Sequence, residues 1–109
     1  MEIDKLTLGE IKQISALLGN SSNHPYKIGA SYLIRTVTMI QTGRLVEVTN
    51  QELVLEDAAW IADTSRFSQS IVSGEFDEVE PFPEGRVIVG RGAIIDATEI
   101  KFSLPRKMK

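Results

Sequence analysis

An α+β fold is predicted: an N-terminal helix, a small bent antiparallel sheet, and a short helical insertion within it. Three observations predict this class. Residues 1–19 carry apolar side chains at helical spacing. Residues 28–56 change to a period of two, with connections too short for crossovers. Glycines interrupt apolar, β-branched runs over residues 86–102, as they do where strands bend. At 109 residues the chain has the length of a single domain.

The elements follow in order. Thr7-Leu8-Gly9-Glu10 fits a capping box, and Leu6 and Ile11 stand where a hydrophobic staple places them. Ile11, Ile14, Leu17 and Leu18 form the stripe of the first helix, which Gly19-Asn20 closes. Asn20 to Lys27 reads as a loop. Three strands of a meander are then expected at Tyr32 to Ile40, Arg44 to Thr49 and Glu52 to Glu56, with turns at Gln41-Thr42-Gly43 and Asn50-Gln51. Residues 57–85 form the insertion. Its helix is expected to start at Thr64 or Ser65, capped by Asp63, Thr64 or Ser65, and to run to Ser73 with Gly74 behind it. Phe67 and Ile71 are its expected buried contacts. Glu75 to Glu84 is acidic and holds Pro81 and Pro83, which suit a stiff connector better than a central strand. Arg86 to Val89 and Ala93 to Lys101 close the sheet, as two strands or one bent strand. Residues 103–109 make a loose basic tail.

Composition narrows the function classes. Hydrophobic residues are 42% and charged residues 25%, ordinary values for a globular protein. No apolar run is long enough to span a bilayer, so no membrane partner is expected. The chain has no cysteine, which excludes a disulfide scaffold, a thiol nucleophile and a thiolate metal site. It has one histidine, His24, which argues against a histidine metal site and a Ser-His-Asp triad. The acidic group Glu75, Asp77, Glu78, Glu80 and Glu84 lacks the spacing of a calcium loop. No catalytic residue, metal or cofactor is expected, and the reading is non-enzymatic. The net charge is −3, with a pI near 5.1, which disfavours a broad nucleic-acid-binding surface.

The stretch VIVGRGAIIDA, Val87 to Ala97, is the one glycine-rich motif. A dinucleotide fingerprint needs a helix after its glycines inside a βαβ unit. Here another β-type run follows, and 17 residues remain after Gly92. No Gly-Lys-Ser/Thr follows either, so a phosphate-binding P-loop is also excluded. Two readings stay open. Gly90 and Gly92 mark a bend in a small barrel, or Arg91 and the neighbouring N–H groups converge on an anion.

The order of these elements resembles the Sm-like fold, an N-terminal helix on a strongly bent, SH3-like barrel. Gly43-Arg44-Leu45 with Asn50-Gln51-Glu52-Leu53-Val54-Leu55 resembles the first Sm motif. Arg91-Gly92-Ala93-Ile94-Ile95 resembles the second. The chain departs from that pattern in the insertion, Asp57 to Gly85, and in its acidity. The resemblance implies a homo-oligomer, with a ring as its form, and an RNA site at Asn50 and Arg91-Gly92 on the pore side. The whole chain also resembles small proteins of tailed bacteriophages and prophages, a group with no assigned activity. That second resemblance implies an accessory protein in the cytoplasm of a bacterial host.

Three further residues are candidates for contact with a ligand. Arg35 falls on an apolar strand face, where a charge needs a partner: an acidic neighbour, another subunit, or a bound anion. Trp60, the single tryptophan, suits a core or interface anchor, or a platform for a base. Arg66 stands near a helix start beside Thr64 and Ser65. With Asn50, Arg91 and Gly92 they define the candidate set. Three functions are consistent with it. The leading one is an oligomer that holds a small anionic, nucleotide-type ligand without turnover, which in a phage would sequester a bacterial defence signal. The second is a structural or protein-interaction module, a virion component or an inhibitor of a host protein. The third is an Sm-like RNA-binding ring, which the acidic charge disfavours.

Overall fold

In a computed structural model of the chain, residues 24–109 are described. The helix expected over residues 1–19, with its capping box, lies outside them. The described residues are mostly β: six antiparallel strands, one short helix and one 3₁₀ turn. The strands are β1 (Ser31–Thr36), β2 (Ile40–Val48), β3 (Glu52–Asp63), β4 (Glu78–Pro81), β5 (Val87–Gly90) and β6 (Ile94–Glu99). Helix α1 (Phe67–Ser73) joins β3 to β4, and the 3₁₀ turn Arg91–Ala93 joins β5 to β6. The strand order is β4-β3-β2-β1-β6, with β5 also on β3.

One strand explains the bend. β3 has 12 residues, more than one partner can pair. Its first part, Glu52 to Leu55, pairs with β5, and its second part, from Ala59, pairs with β4. Asp57 lies between them with φ of 54°, in the left-handed region that an Asp tolerates better than most residues. The register against β2 also slips twice, between Thr42 and Arg44 and between Leu45 and Glu47. Such bulges add local twist and turn a flat ribbon into a barrel corner.

The bend leaves a core on each side of the sheet. Tyr32, Ile34, Leu45, Leu53, Leu55, Ala58 and Val89 pack inside the barrel. Leu33, Ala59, Ile61, Phe76, Val79 and Ile100 form a second cluster, against which Ile71 of α1, Phe102 and Leu104 pack. β1 is therefore apolar on both faces, which is why Tyr32-Leu33-Ile34 reads as an unbroken apolar run.

Several boundaries differ from the sequence-based expectation. The strand expected over Tyr32 to Ile40 is interrupted: β1 stops at Thr36, whose hydroxyl accepts from Met39 N at 3.0 Å and closes a tight turn. The turn expected at Gln41-Thr42-Gly43 is instead the interior of β2. Gly43 is there for closeness, since a Cβ on it would stand 2.9 Å from Leu55 Cβ. β3 runs on to Asp63, so Trp60 is a strand residue. The acidic connector contains the edge strand β4, with Pro81 as its last residue. Helix α1 begins two or three residues later than expected, with Arg66 at its N-cap and no side-chain cap. Asp63 instead accepts from Ser65 N at 2.8 Å in the preceding turn. Gly74 ends the helix as expected, in a left-handed conformation. Phe67, expected to be buried, is 38% exposed, and Ser70 is the buried residue of the helix. The tail is not loose: the N–H and carbonyl of Lys109 pair with Val79 at 3.0 and 3.1 Å.

Candidate functional site

The six candidate residues divide into two neighbourhoods and one outlier. Asn50, Arg91 and Gly92 come together. Thr49 begins the β2–β3 turn, and its hydroxyl accepts from Glu52 N at 2.9 Å and Gln51 N at 3.3 Å. These bonds leave Asn50 exposed at the tip. The 3₁₀ turn docks against this tip through one residue. Arg91 N donates to the Gln51 carbonyl at 2.8 Å, and Arg91 Nη1 donates to the Thr49 carbonyl at 2.6 Å. Arg91 thus fixes both turns from its main chain and its side chain.

Tyr26 completes this neighbourhood, and the sequence reading passed over it as part of a loop. The Arg91 guanidinium lies 5.7 Å from the centre of the Tyr26 ring, within cation–π range. Tyr26 also packs edge-on against Tyr32 at 6.0 Å, which ties it to the barrel core. A groove of about 560 Å³ opens here, lined by Tyr26, Asn50, Arg91, Gly92 and the first residues of β6. Among the described residues no carboxylate is within ion-pair reach of Arg91. A Cβ placed on Gly92 would meet nothing within 4 Å, so neither backbone strain nor crowding requires this glycine. Its effect is to leave the groove wall bare.

Arg35 and Trp60 share a second groove of about 370 Å³ at the β1–β2 turn. Arg35 has the acidic partner that its strand face called for. Its Nε donates to Asp96 Oδ1 at 2.8 Å, and its Nη2 to Asp96 Oδ2. The hydrogen bond from Arg35 holds the Asp96 carboxyl below its ordinary range, and the same bond raises the arginine. The Phe67 ring of α1 lies 5.5 Å from the Arg35 guanidinium, so the ion pair also positions the helix. Trp60 is 39% exposed, with Glu80 and Gln41 as its strand partners. Ile95, the extra residue where the β1–β6 register shifts, lines both grooves. Arg66 stands apart at the start of α1 and lines neither groove. Among the described residues there is no group of three His, Asp or Glu side chains placed to hold a metal ion.

Comparison with solved structures decides the fold. The chain matches a heptameric archaeal Sm protein at 20% identity and a TM-score of 0.50, over 68% of this chain and 90% of that one. It matches the P. aerophilum SmAP1 heptamer at 20% identity and a TM-score of 0.51, over 88% of this chain and 96% of that one. The fold is Sm-like. No family model matches the chain, and no curated protein matches it either. β4 and β5 pair in succession with the two halves of the bent β3, and the two turns joined by Arg91 carry the residues that resemble the Sm motifs. No helix among the described residues is long and apolar enough to cross a membrane.

Proposed function

We propose that this chain is a non-enzymatic, Sm-like homo-oligomer that binds single-stranded RNA, one nucleotide per subunit, at the Tyr26–Asn50–Arg91 groove. The observation that carries the reading is Arg91. It locks the β2–β3 tip to the 3₁₀ turn and so presents a cation, an aromatic ring and an exposed amide to one groove. Those are the elements of unpaired-nucleotide recognition: a ring for stacking, an amide for a base edge and a guanidinium for phosphate. Assembly is supported by two open strand edges. Among the described residues β5 pairs only with β3 and β6 only with β1, and each carries an exposed isoleucine, Ile88 and Ile95. Edge pairing between copies buries both edges at once.

The acidic balance supports a second reading. A chain of net charge −3 gains little from a long polyanion, whereas one compact groove per subunit suits a free nucleotide. In that reading the oligomer sequesters a small nucleotide signal stoichiometrically, as a phage counter to bacterial defence would require. The exposed apolar residues Val37, Trp60 and Ile95 support a protein-interaction module instead.

Native mass spectrometry combined with anisotropy of a fluorescent single-stranded oligonucleotide separates these readings. An RNA-binding oligomer gives a defined multimer and salt-dependent binding that Arg91→Ala weakens by about 10-fold or more. Binding of mononucleotides with none of the oligonucleotide selects the second reading. A monomer that binds neither rules out both.

A further inference from the structure

The outer edge of β4 is covered by the chain itself, and the covering is specific. Val79 N donates to the Lys109 carbonyl at 3.1 Å, and Lys109 N donates to the Val79 carbonyl at 3.0 Å, one reciprocal main-chain pair of antiparallel type. Arg106 holds the same segment from within. Its Nη1 donates to the Ala58 carbonyl at 2.6 Å and its Nη2 to the Phe82 carbonyl at 3.4 Å. Those carbonyls lie where β3 bends beside Asp57 and where the chain leaves β4. Leu104 packs on the second core cluster, and a groove of about 490 Å³ runs between it, Phe76, Val79 and Lys109. Charge matches along the contact. Residues 75–84 carry five carboxylates, residues 106–109 carry three cations, and Lys109 Nζ is 3.7 Å from Glu75.

We propose that the β4 edge and its groove form a strand-addition site for an extended basic peptide, which residues 104–109 occupy in cis. Main-chain pairing supplies affinity in such sites, and side-chain pockets supply selectivity. Here the arginine socket at Ala58 and Phe82 and the apolar seat of Leu104 are the pockets. The consequence is directional. Pro81 has no N–H and Val79 is already paired, so β4 offers nothing to another copy. Among the described residues, the edges left for assembly are β5 and β6.

The test uses the chain shortened after Ser103 and a labelled peptide of residues 104–109. The shortened chain is expected to bind the peptide at least about 10-fold more tightly than the intact chain, whose site is filled. Binding is expected to weaken with salt and to be lost with a peptide carrying Arg106→Ala. Equal binding to both chains, or binding to neither, overturns the proposal. Should the shortened chain fail to fold, full-length Arg106→Ala answers the same question by amide exchange. The Val79 amide is expected to exchange about 10-fold faster than in the unaltered chain while Leu53 stays protected. An unchanged Val79 rate overturns the proposal.

Discussion

Arg91 makes one contact that spans 42 residues of sequence, and its value lies in what it holds in register. Replacing it with Ala leaves the Thr49 carbonyl without its charged donor, at a cost of about 1–3 kcal/mol. Urea unfolding is expected to show that loss as a lower midpoint. The glycines separate structure from site. Gly43→Ala forces a Cβ to within 2.9 Å of Leu55 Cβ and is expected to cost about 1–3 kcal/mol of stability. Gly92→Ala meets open space and is expected to leave stability within about 0.5 kcal/mol. If the groove holds a ligand, Gly92→Ala lowers its affinity without moving the urea midpoint. Thr42 is fully buried, and among the described residues its hydroxyl has no partner. Thr42→Val is therefore expected to raise stability by about 1 kcal/mol, read by the same unfolding curve.

Helix α1 is short and has no side-chain N-cap, so its position depends on contacts outside itself. Ile71 packs on the second cluster, and Phe67 rests on Arg35, which Asp96 holds. The Asp96 carboxyl lies below its ordinary value of 3.8, first because Arg35 donates a hydrogen bond to it and further through the arginine's charge. A carboxyl depressed in the folded state contributes stability above its ordinary value and loses it as pH falls through the lower, folded one. Helix α1 is thus expected to loosen on acidification below pH 3.8, seen as faster exchange of the Ser70 amide. Asp96→Asn is expected to loosen it already at neutral pH and to remove that acid dependence. The charge on β1 was legible in sequence as a residue needing a partner. The partner was not, because Asp96 is 61 residues away and is fixed by the β1–β6 register.

At the scale of the whole sheet, the described residues leave two edges open, β5 and β6, and cover one, β4. Ile88→Lys or Ile95→Lys puts a charge on an open edge, where pairing between copies would bury it. If the chain assembles as proposed, either change is expected to shift the oligomer to monomer by native mass spectrometry, with far-UV circular dichroism unchanged. Both residues are more than half exposed in the isolated chain, so folding itself does not need them apolar.

The sequence by itself determined the core of the molecule: a bent antiparallel sheet, and a turn rather than a nucleotide loop at Gly90-Arg91-Gly92. These follow from period, glycine placement and lengths, which are local properties of the chain. It also brought out Asn50, Arg91 and Gly92, since turn residues are visible as breaks between apolar runs. Tertiary structure decided the rest. It made Gly43 a close-contact residue rather than a turn, because the need for space comes from Leu55 on another strand. It joined Tyr26 to Arg91, separated Trp60 and Arg35 from them, and left Arg66 outside both grooves. It laid the basic tail on β4, a contact set by a sheet edge that exists only once β3 has bent. Local pattern encodes which segments extend and which turn; which turns meet depends on how the barrel closes.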